Sequence, residues 1–209
     1  MLFIFIILMF TNQVISINPS KYYADPRIHI LGNHGFLGYL HANLAPVMTN
    51  LIDKNAYDGR NIRKEIIDSF PEKSKVLDLC CGVGYSTPEK SNVLGIDTSV
   101  PMIEKARNLF PKKNFQFGNA ETFKPIYKVD ITTCFFSFHE MPQFARKNII
   151  ENAIQYTKDK VIIVDISPQY CPTQHMLYTE PYLPEYLNNI KADLKDFDEI
   201  TIKDKRATM

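Results

Sequence analysis

The chain has no tryptophan, only 4 cysteines and 8 glycines in 209 residues, and no excess of either charge, since 24 Lys plus Arg face 23 Asp plus Glu. Each scarcity excludes something. Four cysteines with no CxxC and no Cys/His ligand spacing exclude a disulfide-stapled scaffold and make no structural zinc site. Cys80, Cys81 and Cys134 lie within or just after apolar strand-like runs, where free cysteine behaves as a small buried hydrophobe. A formal charge of +1, with Lys and Arg scattered along the chain, supplies no electrostatic footprint for nucleic acid. Internal repeats and low-complexity segments are absent from the sequence after residue 17. What is present, 45% hydrophobic and 22% charged residues, is the composition of one ordinary globular domain. A chain of this length buries roughly two thirds or more of its unfolded surface without a staple.

Long apolar runs are scarce too, with one exception at the start. Met1 to Phe10 is wholly apolar, and Thr11-Asn12-Gln13 and Val14-Ile15-Ser16 follow it. The run is shorter than the roughly 20 residues that cross a bilayer, and it precedes a small residue at a cleavage-like position. It reads as a signal peptide or the first half of an organelle address, although it lacks the usual Lys or Arg. A marginal anchor counted through Ile17, a strand, or a misplaced start are the other readings. On this reading the destination is endomembrane, secreted or organellar, with the cytoplasm as the alternative, and membrane contact is confined to residues 1–17.

From Lys75 onward short β-rich runs alternate with helix-like or turn-like segments, the pattern of a parallel sheet covered by helices. Strands are expected at Lys75 to Leu79, Val93 to Ile96, Phe115 to Phe117, Val129 to Phe136 and Val161 to Ile166. Their near-continuous apolarity suits strands buried on both faces. Helices are expected at Met102 to Leu109, between Pro101 and Pro111, at Gln143 to Tyr156 after Pro142, and at Pro184 to about Asp196. Residues 18–70 contain helix-like stretches at Leu37 to Ile52 and Asn61 to Phe70 and read as an N-terminal cap on the domain of residues 71–209. Glu199 to Lys203 alternates with period two before Asp204-Lys205 and Arg206 to Met209, which predicts an antiparallel edge hairpin, cut short.

The densest signal is Val76-Leu-Asp-Leu-Cys-Cys-Gly-Val-Gly84, with Gly95-Ile-Asp97 closing the next strand. A strand running into a glycine turn lets backbone approach a ligand, and an acid at the end of the following strand can accept from both hydroxyls of a ribose. Neither a phosphate-cradling G-x-x-x-x-G-K-[ST] nor G-x-G-x-x-G is present, because Cys80 and Thr87 take the places of the outer glycines. Asp78 would repel a pyrophosphate and suits a cationic amino group.

These motifs resemble the first motifs of the class I S-adenosylmethionine-dependent methyltransferases, D-x-G-x-G-x-G or D-L-G-C-G-x-G. The resemblance implies a Rossmann-like, doubly wound, mostly parallel α/β sheet of the seven-stranded type and S-adenosylmethionine as cofactor. It places Asp78, Cys80, Gly82 and Gly84 along the methionine part and Asp97, followed by Thr98, at the ribose. Asn119-Ala120 stands where the family usually has Asp-Ala at the adenine. Phe135 and Phe136 end strand four against the cofactor. His139, with Glu140 beside it, is the candidate to take a proton from the acceptor; the competing reading has His139 shaping the pocket and Glu140 starting a helix. The activity implied is methyl transfer to a small molecule, with a non-catalytic protein that kept the fold as the alternative. Two departures are visible: little room exists for a helix after Gly84 or between Thr122 and Lys128. His29, His34 and His41 are irregularly spaced and read as surface or pocket lining, so no metal is expected. The tyrosines 170, 178, 182 and 186 read as packing for the cap.

Overall fold

The computed structural model describes residues 19–57 and 59–202. Five strands, β1 (Val76–Leu79), β2 (Val93–Asp97), β3 (Phe115–Phe117), β4 (Val129–Phe135) and β5 (Thr157–Val164), form one sheet in the order β3-β2-β1-β4-β5. Every pairing is parallel, with Val76 opposite both Val93 and Ile131. The order reverses at β1, so crossovers leave it in both directions and a crevice opens at the carboxyl ends of β1 and β4. This is the Rossmann-like architecture of class I methyltransferases, here with five strands among the described residues.

Alternation along β1 explains the two faces. Leu77 and Leu79 point into the larger core with Cys134, Ile149, Ala153, Leu183 and Ile190. This face is covered by α4 (Gln143–Tyr156) and α6 (Leu183–Asp193). Val76 points the other way, into a cluster with Phe70, Val93 and Ile131 that is closed by Ile66 and Ile67 of α2 (Ile62–Asp68). Beside it, α3 (Val100–Leu109) packs Ile103 and Ala106 on Cys81 and Phe115. Burying one such aliphatic side chain stabilises the fold by roughly 1.5–3 kcal/mol. Ser99 caps α3 by accepting from the Met102 N–H at 3.3 Å, which satisfies a donor that has no partner within the helix.

The segments between Gly84 and β2 and between β3 and β4 contain turns and bends rather than helices. The second gap is filled from the N-terminal side. Tyr22, in a 3₁₀ segment at Pro19–Ala24, is buried in the larger core with Ala120 and donates to Glu121 Oε1 at 3.2 Å. On the opposite side, α1 (Gly35–Ala56) lays Ala42 against Val83 and Met102 and runs along α3. A short α5 (Gln174–Thr179) precedes α6 and has no counterpart in the periodicity of the sequence.

Three expectations are corrected. β5 begins at Thr157 rather than Val161, because an edge strand pairs through its backbone and tolerates the exposed Lys158-Asp159-Lys160. The C-terminal hairpin is not formed by residues 199–202, which lie outside the sheet; residues 203–209 lie outside the described part. The membrane-linked destination is withdrawn: among the described residues no helix is long and apolar enough to cross a membrane, and residues 1–17 lie outside them.

Candidate functional site

At the end of β1 the chain reverses through three residues in the left-handed region, Cys80 (φ 53), Gly82 (φ 51) and Gly84 (φ 88). For Cys80, which has a Cβ, this conformation costs roughly 1–2 kcal/mol. The loop needs glycine at Gly84 for two reasons, since a Cβ there would lie 2.5 Å from Phe115 Cζ as well as carrying the positive φ. At Gly82 the reason differs. A Cβ would meet nothing within 4 Å, so the space above this part of the loop is open and a side chain would fill it.

Asp97, at the last position of β2, faces that space. Its Oδ2 accepts from the Gly82 N–H at 2.9 Å and its Oδ1 from the Ser99 N–H at 2.8 Å. Each oxygen retains a lone pair. Burial pushes this carboxyl up to about 6 despite the two backbone donors. Thr98 and Asn119 are half-buried beside it, and Ala120 is buried. Asn119 Oδ1 accepts from the Glu121 N–H at 2.9 Å in a local turn. One lone pair of the amide is therefore spent on the backbone and one remains. Phe135 is buried at the end of β4. Phe136 (φ 53) donates its N–H to the Val164 carbonyl at 2.6 Å and carries the Arg63 guanidinium 4.4 Å above its ring. Tyr57 lies edge-tilted to the same ring at 6.2 Å, so the N-terminal segment contributes a wall to the crevice.

Asp78 lies one residue before the end of β1. It is fully buried and accepts from the hydroxyls of Ser86 (2.9 Å), Thr87 (2.6 Å) and Thr133 (2.8 Å). These bonds tie the segment after the glycine turn, through Ser86 and Thr87, to β4, through Thr133. Burial raises its carboxyl against those three donors.

Beyond β4 lies a cluster of histidine and carboxylate side chains. His139 is buried in a 3₁₀ turn, Phe138–Glu140, with Nδ1 donating to Asp165 Oδ1 at 2.6 Å and Nε2 4.0 Å from Glu140 Oε1. Burial opposes charge on the ring, but Asp165, with its hydrogen bond, outweighs that and raises His139 to about 9. Glu140 also meets His29 Nε2 at 2.9 Å, and Glu180 meets His29 Nδ1 at 2.6 Å. Against its own burial, the His29 charge holds Glu140 down at about 2. His29 is raised well above its ordinary value by the two acids, although burial opposes this. His29 and His41 stack edge-on at 5.0 Å, whereas His34 stands apart against Tyr23. Among the described residues no His, Cys, Asp and Glu grouping could hold a metal ion.

Asp165 was invisible to motif reasoning, yet it organises the turn: Oδ2 accepts from the Phe138 and His139 N–H groups at 2.6 and 3.2 Å. The available signal was one acid interrupting the apolar run Val161-Ile-Ile-Val-Asp-Ile166 at a strand's carboxyl end.

Comparison with known proteins agrees with this geometry. Residues 76–160 match a family model described as a methyltransferase domain. A TehB-like S-adenosylmethionine-dependent methyltransferase from Corynebacterium glutamicum superposes with a TM-score of 0.51 at 18% identity, covering 69% of this chain and 83% of that one. The Streptomyces venezuelae protein DesVI gives a TM-score of 0.50 at 18% identity, with 63% of this chain and 60% of that one covered. This chain thus spans less than two thirds of the Streptomyces relative, and at these identities both neighbours speak for the fold. Over residues 76–160, the stretch from β1 into β5, the chain is thus similar to a methyltransferase domain, and the parallel sheet agrees with that match.

Proposed function

We propose that this chain transfers a methyl group from S-adenosylmethionine to a small-molecule acceptor by in-line displacement. The observation that carries the proposal is the pairing of Gly82 N–H with Asp97 at 2.9 Å beneath space that a Cβ on Gly82 would enter. A backbone held open over an acid with free lone pairs fits a ribose-bearing ligand. When bound, the cofactor would supply a methyl group activated on a sulfonium, so no covalent enzyme intermediate is needed.

The chain's own part is to hold and orient. Asp97 would accept from the ribose hydroxyls, with Thr98, Asn119 and Ala120 beside the base, and Cys80, Gly82 and Gly84 would run along the amino-acid portion. Asp78 supports that loop from below. The Phe135-Phe136 backbone, held to β5, would set the direction in which the acceptor approaches, and alignment of this kind accounts for much of the rate in displacement reactions. His139 is the candidate proton acceptor. With Asp165 and Glu140 on its two sides it is a cation at neutral pH, so it would take a proton only toward alkaline pH.

Calorimetric titration of the protein with S-adenosylmethionine and S-adenosylhomocysteine tests the reading. Micromolar binding that weakens at least tenfold in Asp97→Ala is the expected result; no heat for either ligand at millimolar concentration would sink it. Asp78, already held by three hydroxyls, and the raised His139 favour a second reading, a protein that binds the cofactor without turnover. Binding with no methyl transfer across amine, hydroxyl and thiol acceptors from pH 7 to 10 would favour that one.

A further inference from the structure

Helix α1 is apolar on both sides. Its inner face seats Gly38, Ala42 and Ala45 against Asn33, Val83 and Met102. On the outer face Phe36 is 84% exposed, Val47 59% and Met48 52%, in line with Leu40, Leu44 and Leu51. These six fall within an arc of about 120° at the helical repeat and run along a helix of about 33 Å. Single exposed hydrophobes are ordinary, but a continuous stripe of this kind marks a surface that something covers.

The chemistry of the stripe limits what covers it. From Gly35 to Ile52 the helix has no Lys, Arg, Asp or Glu, and its interior histidine, His41, is held below its ordinary value by burial and donates from Nδ1 to the Gly32 carbonyl at 3.0 Å. A helix lying on a bilayer carries several basic residues along its polar edge; here that edge holds Asn43, Asn50 and a single base, Lys54, in the last turn. The one charge in line with the stripe, exposed Lys54, stands at its C-terminal end, so in an antiparallel pair about a two-fold axis it faces the partner's uncharged N-terminal turns rather than its own copy. The exposed area of the six side chains with Ile52 comes to roughly 700 Å², close to the roughly 800 Å² per partner of a standard stable interface. The composition, with aromatic and Met side chains present and charge absent, is that of an interface centre, and the adjoining pairs Tyr39–Glu104 and Asn43–Lys105 at 2.9 Å make a polar rim.

We propose that this chain forms a two-fold homodimer through the outer faces of two α1 helices. The site over β1 and β2 stays on the far side of α1, so each copy keeps its own crevice. The inference is independent of the methyltransferase reading and survives its failure.

Light scattering coupled to size exclusion tests it on the full chain, whose mass is 24.1 kDa. A dimer at about 10 μM is expected, with at least a tenfold weaker self-association in Leu44→Glu and in Phe36→Ser, and no change in Lys195→Glu. Far-UV circular dichroism and the melting temperature of each variant show that it is folded, so a monomeric variant reads as a lost interface. A wild-type monomer at 100 μM, or a dimer indifferent to both substitutions, overturns the proposal. So does a monomer that becomes a dimer only when residues 1–18 are deleted, since that segment would then be the occupant. Recruitment of the monomer to neutral vesicles would overturn it in favour of a bilayer.

Discussion

Replacing Asp165 by Asn separates the charge it supplies from the space it fills. All four groups that point at its carboxylate are donors: His139 Nδ1 and the Ile166 N–H reach Oδ1, while the Phe138 and His139 N–H groups reach Oδ2. Either orientation of the amide therefore puts an NH2 group against two N–H donors. The lost charge acts through His139, raised from 6.5 to about 9 in the fold. At 1.36 kcal/mol per unit, that difference corresponds to about 3 kcal/mol. Because the folded value is the higher one, this stabilisation is fully present below pH 6.5 and disappears as pH rises through about 9. Urea denaturation at pH 6 and pH 10 measures both parts. At pH 6 the variant is expected to lose roughly 3–5 kcal/mol, combining the charge with the amide mismatch. By pH 10 the gap narrows to the mismatch alone, about 1–2 kcal/mol. Nuclear magnetic resonance of the imidazole adds an independent readout, a fall in the His139 pKa of at least one unit. An equal gap at both pH values, or a wild-type His139 titrating near 6.5, would refute the reasoning.

Other expectations follow from the same geometry. Gly84→Ala drives a Cβ into Phe115 at 2.5 Å and is expected to lower the Tm by roughly 5–10 °C, whereas Gly82→Ala meets open space and costs only about 1 kcal/mol while weakening cofactor binding, as differential scanning fluorimetry with and without ligand would show. Arg146→Ala leaves Asp193, paired with it at 2.8 Å and equally buried, without its counter-ion, for a loss of about 3–5 kcal/mol by urea denaturation. Cofactor affinity should decline below about pH 6, where Asp97 takes up a proton, and a flat binding profile from pH 5 to 8 would contradict its place at the ribose. If His139 accepts the acceptor's proton, initial rates rise with pH toward about 9, and Asp165→Asn moves that rise to lower pH.

Much of the fold was legible because its determinants are local. β3 and α4 fall where the sequence places them, since Pro142 opens one and Phe115-Gln-Phe117 is a short β-rich run bounded by turns. The boundary of β5 was not, because an edge strand is decided by a neighbour's backbone and not by its own polar Thr157-Lys-Asp-Lys160. In the site, Gly82, Gly84 and Asp97 announced themselves through spacing along adjacent strands. Asp165, Glu180 and His29 did not, because residues 29, 139 to 140, 165 and 180 come together only once the sheet is wound and the N-terminal segment laid across it.

By itself the sequence determined the parallel sheet, its two-sided burial and the glycine loop with an acid at the end of β2, because hydrophobic period, proline and glycine act within a few residues of where they stand. Tertiary structure decided the rest. It surrounded Asp78 with three hydroxyls, because the side chain's direction follows the pleat of β1 and the hydroxyls arrive from another strand and from the turn beyond the glycine loop. It likewise raised His139 to about 9, since ionisation depends on which carboxylates folding brings within hydrogen-bonding reach, and among the described residues it left the outer stripe of α1 uncovered. The few glycines of the chain mattered through their placement, two of them opening the loop over Asp97.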